Sequence, residues 1–149
     1  MSKIRLDASD FLRKIRNLQT SVRATMLADA VQAGGLVIEE QAKENAPYRT
    51  GTLRRSIGTT VTGSSLKAEA RVGPAANVPY AAITEFGGVI EPKNAPRLAW
   101  KDDQGKWHLA KRVVRKPRPF LRPAFDNRKA AALDTIRKVL AFSIERAWK

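Results

Sequence analysis

Residues 46–57, APYRTGTLRRSI, mark the point where the periodicity of the chain changes. Before them, from about Thr25 to Asn45, apolar residues recur at helical spacing. Pro47 ends this helix because its ring disfavours helical geometry at the preceding residue. From Ser56 the pattern repeats every two residues, as in a β-strand. The stretch therefore predicts a corner between a long helix and a sheet.

The residues of this corner have local physical roles. Thr50 is expected to cap the turn that Gly51 opens, because a hydroxyl accepts a backbone hydrogen bond and glycine tolerates unusual backbone angles. Leu53 and Ile57 are predicted to be buried anchors of the turn. The arginines at 54 and 55 are then expected to point outward.

Further helices are predicted on both sides of the corner. Ser9 or Asp10 is expected to cap a short amphipathic helix, whose stripe comprises Phe11, Leu12, Ile15, Leu18 and Val22. In the next helix, the two glycines at 34–35 indicate close approach of a neighbouring backbone, a kink, or a tolerated local weakness of the helix. Pro123 suits the first position of a C-terminal helix. The stripe of that helix comprises Phe125, Ala132, Leu133, Ile136, Val139, Leu140, Ile144 and Trp148.

Two hairpins and a short helix are predicted between these segments. Residues 57–62 and 66–72 form the first hairpin, and a short helix over 79–86 is stopped by two glycines. A four-residue loop at 102–105 would place Trp100 opposite Trp107 on one apolar face, with Leu98 opposite Leu109. The prediction is an α+β fold: one domain over 1–149, helices packed on a small antiparallel sheet, and a protruding hairpin within 89–117.

The charge of the chain is strongly basic and uneven. Its 28 Lys and Arg against 14 Asp and Glu give a net charge of +14. The densest cluster contains no acid and comprises Lys111, Arg112, Arg115, Lys116, Arg118 and Arg122. Such a field attracts polyanions or an acidic protein surface, or serves as a solvated face that keeps the protein soluble.

The compartment follows from what the sequence lacks. There is no cysteine, no apolar run near the roughly 20 residues of a membrane helix, and no apolar segment typical of a secretory signal. Synthesis in a cytosol, without contact with a membrane, is therefore expected.

Catalytic chemistry finds little support in the sequence. The single histidine, His108, is expected to be an ordinary strand residue. The acids at 39, 40 and 44 are typical of a solvated helix face, and those at 102 and 103 of a turn. No catalytic residue, cofactor or metal site is predicted. A small basic ribonuclease is the enzymatic alternative, and it predicts growth arrest on expression.

Three elements in order resemble a tailed-bacteriophage tail-component family, whose members are described as head–tail joining, tail-completion or minor tail proteins of lambdoid-type siphophages. The first element lies within 46–57, the second is YAAITEFGG at 80–88, and the third is RPFLRPAF at 118–125. The residues that carry the resemblance are Pro47, Thr50, Gly51, Leu53, Arg54, Ser56, Tyr80, Glu85, Phe86, Gly87, Arg118, Pro119, Phe120 and Pro123.

This resemblance implies a structural virion protein rather than an enzyme. It implies a homo-oligomeric ring, expected to hold six subunits, between the head-completion or connector proteins and the tail tube or tail terminator. The chain departs from the shorter family pattern at 89–117, where it is similar to virion-morphogenesis proteins of contractile-tailed phages, so the tail type stays open. The protein would be made in the host cytoplasm and reside in the phage neck or tail.

The excursion at 89–117 is expected to reach a neighbouring subunit or the next ring. Its contact residues would be Trp100, Trp107, Lys111, Arg112, Arg115 and Lys116. Some basic side chains would contact genomic DNA without reading its sequence. The alternative function is a free, small, basic, non-specific nucleic-acid-binding protein.

Two structural expectations accompany this interpretation. Glu85 is expected to pair with an arginine at 54, 55 or 118, or else to face solvent on its short helix. Phe86, Phe120 and Phe125 are expected to close one end of the core.

Overall fold

Two long helices, α1 (Thr20–Asn45) and α4 (Leu121–Ala147), run antiparallel along each other in the computed structural model, which describes residues 20–147. Their ends are tied by Asn45, whose side-chain amide donates to the Phe120 carbonyl at 3.3 Å. The first predicted helix lies outside the described residues except for Val22, which belongs to α1. The long helix already includes Thr20, five residues before the predicted start at Thr25.

The glycines of α1 let it pack closely on two sides. A Cβ placed on Gly34 would lie 2.6 Å from Cγ1 of Ile136 in α4. A Cβ placed on Gly35 would lie 2.5 Å from Cγ2 of Thr59 in the sheet. Since real Cβ atoms do not approach this closely, the two glycines make room for side chains of α4 and of the sheet, and at Gly34 also for the Ala132 carbonyl at 3.1 Å. Helix α1 is thus the central layer of the fold.

The predicted corner and first hairpin are present. A one-turn helix, α2 (Thr52–Ser56), leads directly into β1 (Ile57–Gly63), which pairs antiparallel with β2 (Ala68–Pro74). This ladder packs on α1, where Gly35 contacts Thr59 while the preceding Gly34 contacts α4. The buried core gathers Ala42, Ala46, Leu53, Ile57, Val78, Ala81, Phe120 and Ala124.

The second short helix leads into the segment predicted to form the protruding hairpin. Helix α3 (Tyr80–Phe86) ends at Gly87, whose φ of 71° is a conformation that favours glycine. Strand β3 (Gly88–Ile90) follows and pairs with β6 (Val113–Arg115), and further out β4 (Leu98–Lys101) pairs with β5 (Trp107–Ala110). We call residues 88–115 the arm, β3–β6 its proximal ladder and β4–β5 its distal ladder. The extensive contacts of the arm strands are all within the arm.

The register of the distal ladder differs from the prediction. Trp100 lies opposite His108 and Lys101 lies opposite Trp107, so the two tryptophans are on opposite faces. The cause is Asp102, whose Oδ1 accepts hydrogen bonds from the amides of Gln104 and Lys106. The loop between β4 and β5 therefore has five residues instead of the predicted four. Because side chains alternate between faces, this shift of one residue places every side chain of β5 on the face opposite to the predicted one. Leu98 accordingly faces Ala110 instead of Leu109.

Only one of the three phenylalanines closes the core. Phe120 is fully buried, as predicted, but Phe86 and Phe125 are 74% and 54% exposed, so that expectation is wrong for both. In each helix the residue just before the phenylalanine is the buried one, Glu85 in α3 and Ala124 in α4. Because successive residues of a helix are rotated by about 100°, the phenylalanine that follows points away from the core. Pro123 is the third residue of α4 rather than the first, because the helix begins at Leu121.

The predicted α+β class with a long C-terminal helix is confirmed, and α1 makes the extensive contacts to both the β1–β2 ladder and α4. In the predicted stripe of α4, Ala132 is buried, and five of its members are half-buried, namely Leu133, Ile136, Val139, Leu140 and Ile144. The last member, Trp148, lies outside the described residues.

Candidate functional site

Glu85 joins the second and third sequence elements. Its side chain is 6% exposed, and its carboxylate accepts three backbone hydrogen bonds at the start of α4. Oε2 accepts from the amides of Phe120 at 2.7 Å and Leu121 at 3.0 Å, and Oε1 accepts from Arg122 at 2.9 Å. Both sequence expectations for Glu85, an arginine pair and a solvent-facing position, are therefore wrong.

The contact is a helix cap provided by a distant residue. The first amides of a helix have no partner within it, and the positive end of the helix dipole attracts an anion. Glu85 occupies three of these amides, and the next residue is Pro123, which has no N–H to satisfy. Burial alone would raise the pKa of Glu85, but the three backbone donors and the Arg122 charge outweigh it and hold the pKa below its usual value.

The same contacts hold both ends of the arm together. Next to Glu85, the Thr84 carbonyl accepts a hydrogen bond from the Arg118 amide at 2.7 Å. A Cβ on Gly87 would lie 2.8 Å from the Arg115 carbonyl oxygen and 2.9 Å from Pro117, so glycine permits this approach. We call this junction the arm root, formed by Thr84, Glu85 and Gly87 on one side and residues 115–122 on the other.

The first element forms a second rigid junction. Leu53 and Ile57 are 5% and 2% exposed and anchor it, as predicted. Gly51, with a φ of 74°, takes the N-cap position of α2, while the Thr50 hydroxyl lies 2.9 Å from the hydroxyl of Thr52 and 3.4 Å from its amide. Thr50 thus bonds within the turn without capping α2.

The two arginines of this corner do not both point outward. Arg54 is half-buried, with its guanidinium 3.5 Å from the Ala46 carbonyl and 5.4 Å from the centre of the Tyr48 ring. Arg55 is exposed and donates to the Thr50 carbonyl at 3.2 Å.

The remaining motif residues have ordinary structural surroundings. The Ser56 hydroxyl donates to the Leu53 carbonyl at 2.7 Å. Tyr80 is 46% exposed and opens α3, and Pro47 is half-buried just after α1. Pro119 is exposed in the segment that leads into α4. None of these side chains converges on a common centre.

The tip of the arm is held by Asp102 and His108. Asp102 Oδ2 lies 2.8 Å from His108 Nε2, and the imidazole stacks on Trp100 with ring centres 5.4 Å apart. The hydrogen bond to His108, with the Lys106 and Gln104 amides, lowers the pKa of Asp102. His108 lies in β5, a strand position as predicted, and its hydrogen bond holds the turn residue Asp102.

An open apolar groove of about 420 Å³ lies beside the arm root. Its lining comprises Pro74, Ala81, Ala82, Glu85, Phe86, Phe120, Leu121 and Arg122. Ligand sites combine an apolar cavity with a few convergent polar groups. Here the one carboxylate, Glu85, already has its oxygens occupied by three backbone amides, so the groove offers no free acid to a ligand.

The basic cluster is exposed on this framework. All six of its side chains are exposed, namely Lys111, Arg112, Arg115, Lys116, Arg118 and Arg122. At the tip, Asp103 forms an exposed ion pair with Arg49 at 3.1 Å.

Within residues 20–147, no three His, Asp or Glu side chains are placed to hold a metal ion. Across that same range, no helix has the length and apolarity that a bilayer crossing demands.

Sequence reasoning did not foresee the partners of Glu85, Asn45 or Asp102. The one signal for Glu85 was its position as the only acid in the second element, on the inward face of a short helix. Nothing local to Asn45 indicates that it reaches a residue 75 positions away.

The fold and these junctions define a small α+β framework protein that presents a basic arm. Residues 9–87 match the model of the family described as "Bacteriophage HK97-gp10, putative tail-component", which covers more than half of the chain. The chain belongs to this family, and it is therefore a structural tail component of the phage virion. No curated protein and no solved structure matches it significantly. The third sequence element lies beyond the matched residues, and Glu85 connects it to them.

Proposed function

We propose that this protein joins or completes the phage tail at the head–tail junction, as one subunit of a homo-oligomeric ring of six copies. The observation that carries the proposal is the arm, residues 88–115, which extends from a hydrogen-bonded root and whose strands contact mainly each other. Such an element contributes little to the hydrophobic core of the protein and is suited to contact a neighbouring molecule.

Rings form when one surface of a subunit contacts a different surface of the next copy and the rotation closes. The arm offers groups for contact with the next copy or with a neighbouring protein of the tail. Each of its ladders has two strands, so within residues 20–147 every arm strand keeps one unpaired edge. Unpaired edges accept further strands, and exposed side chains such as Trp107 add apolar contact area.

We propose no catalytic role for this framework. The hydrogen-bonding capacity of Glu85 and Asp102 is used for a helix cap and a turn. In the proposed arrangement, the neighbours are head-completion or connector proteins on one side and the tail tube or tail terminator on the other. Some of the exposed basic side chains line the passage of the genome, where phosphate contacts need no sequence reading.

The test is complementation of a phage that lacks this gene. We expect filled heads and separate tails without the protein, and joined particles when the wild-type chain is supplied. Reversing the charge of Lys111, Arg112, Arg115 and Lys116 is expected to reduce joining or DNA ejection, whereas Lys129→Glu and Arg137→Glu at exposed positions of α4 serve as charge controls. Joined, infectious particles without the protein contradict the proposal. Normal assembly and DNA ejection with the charge-reversed variant would show that these basic residues have no part in joining.

The second candidate is a free non-specific nucleic-acid-binding protein, favoured by the net charge of +14 and the exposure of the whole basic cluster. Duplex DNA binding, titrated against salt, distinguishes the two candidate functions. A joining protein is expected to bind weakly and to lose binding at moderate ionic strength, whereas a dedicated binder retains measurable affinity.

A further inference from the structure

The distal ladder of the arm has two unlike faces. In an antiparallel ladder, residues directly opposite each other share a face. One face carries Trp100 and His108, which stack on each other, and with Leu98 and Ala110 it is largely half-buried. The other face, which we call the outer face, carries Ala99, Lys101, Trp107 and Leu109.

The outer face exposes a contiguous apolar pair. Trp107 and Leu109 are each 64% exposed, and they are adjacent because residues two apart in a strand lie on the same side. Scattered exposed apolar residues are ordinary in soluble proteins. Here, however, a large aromatic and a leucine lie side by side on an element that has no core of its own, which is typical of a contact surface.

The surroundings of this pair are cationic. The Lys101 ammonium lies 5.1 Å from the centre of the Trp107 ring, and Lys106 precedes Trp107 in the chain. The adjoining loop also carries two acids, Asp102 bonded to His108 and Asp103 paired with Arg49, but the arm as a whole has seven Lys and Arg against three Asp and Glu. The outer face thus has an apolar centre and a basic border, which complements an apolar patch bordered by acids.

A second copy of the chain is a poor match for this surface. Within residues 20–147, seven of the twelve Asp and Glu side chains already accept hydrogen bonds or ion pairs inside the protein, namely Glu39, Glu44, Glu69, Glu85, Asp102, Asp103 and Asp134. The other five are Asp29, Glu40, Glu91, Asp126 and Glu145. They lie on α1, on α4 and in the arm, among the basic residues of the same elements. Each further copy also adds +14.

Duplex DNA is a poor match as well, because phosphates contact cations and give no role to the leucine or alanine of the outer face.

We propose that the outer face docks on a different protein of the assembly, at an apolar surface bordered by Asp and Glu. This inference rests on the proposed function and narrows it: the arm joins the protein to an acidic neighbour rather than one copy to the next.

A titration with peptides tests the recognition chemistry. The probes are a peptide of alternating leucine and glutamate, its leucine–lysine counterpart and a duplex DNA, with tryptophan fluorescence of the full chain as readout. We expect binding of the acidic peptide that weakens with salt and falls by about tenfold or more in Trp107→Ala/Leu109→Ala, as for a central apolar contact. Phe142→Ala is the matched control, since Phe142 on α4 is also 64% exposed.

The outcomes decide between occupants. Equal affinity for both peptides overturns the proposal, and so does DNA binding that depends on Trp107 in the absence of peptide binding. Self-association by sedimentation that is lost in Trp107→Ala/Leu109→Ala also overturns it and assigns the outer face to a second copy.

Complementation separates this inference from the proposed function. If the wild-type gene does not restore joining, the proposed function fails. If the wild-type gene and Trp107→Ala/Leu109→Ala restore joining equally, only the outer-face proposal fails. The supporting result is a variant that self-associates like the wild type yet leaves heads and tails separate.

Discussion

Removing the Glu85 carboxylate is expected to destabilise the whole chain. In Glu85→Ala, the amides of Phe120, Leu121 and Arg122 lose their acceptor, and the start of α4 loses an anion. A hydrogen bond contributes a net of about 1 kcal/mol, more when one partner is charged, so three bonds amount to roughly 3 kcal/mol. The adjacent groove is open, and water entering it offsets part of the further loss from the helix dipole.

The assay is urea unfolding and thermal unfolding of the full chain. For a protein of this size each kcal/mol shifts Tm by about 2–4 °C, so Glu85→Ala is expected to unfold roughly 6–12 °C below the wild type. Glu85→Gln keeps one acceptor oxygen but loses the charge, and we expect it to lower the free energy of unfolding by about 1.5–2 kcal/mol. Glu91→Ala is the matched control, because Glu91 is an exposed acid in the arm and should change stability by less than about 0.5 kcal/mol.

A particular result refutes this reasoning. If Glu85→Ala and Glu91→Ala unfold at the same urea concentration and temperature, the three amides are equally well satisfied without the carboxylate. The cap would then position α4 without stabilising it.

The other predictions concern pH, packing, the arm tip and the arm as a unit. Because folding lowers the pKa of Glu85 below its ordinary 4.5, its contribution is complete above that pH and is lost as pH falls through the folded value, so unfolding in acid should be less pH-dependent in Glu85→Gln. Gly34→Ala should cost about 1–2 kcal/mol despite the better helix propensity, because the methyl group meets the opposite helix, whereas Gly58→Ala has open space and should be nearly neutral in urea unfolding. In Asp102→Ala, hydrogen exchange of the two turn amides should accelerate while the amides of α1 do not change. Replacing residues 89–116 by a short glycine–serine linker should shift the stability of the remaining body by no more than about 1 kcal/mol, and loss of cooperative unfolding would show instead that the arm supports the core.

Local patterns predicted the parts of the fold that depend on local chemistry. The corner at 46–57 was foreseen because Pro47, Gly51 and the change of period act within a few residues. The buried positions of Leu53 and Ile57 follow from the same pattern. Gly34 and Gly35 indicated close packing, but their two different partners became visible only once the layers were assembled.

Features set by distant contacts could not be obtained in this way. Glu85 and the Phe120 amide are 35 residues apart, and charge counting favoured an arginine partner over a backbone one. The register of the distal ladder depended on one aspartate that accepts two amides and lengthens its loop by a residue. A shift of one residue was enough to place Trp100 and Trp107 on opposite faces, and this changed the interpretation of the arm surface.

The position of Glu85 accounts for the way the sequence resemblance is interrupted. The family match ends at residue 87, the arm begins at Gly88, and the third element resumes at Arg118. Glu85 and Thr84 bind residues 118–122 directly, so the two ends of the arm are held together whatever lies between them. Because the entropic cost of closing a loop grows only slowly with its length, the arm can be long or short at little cost to the body. In the proposed role, the arm is therefore the part of this fold in which contacts with a neighbouring protein can change most freely.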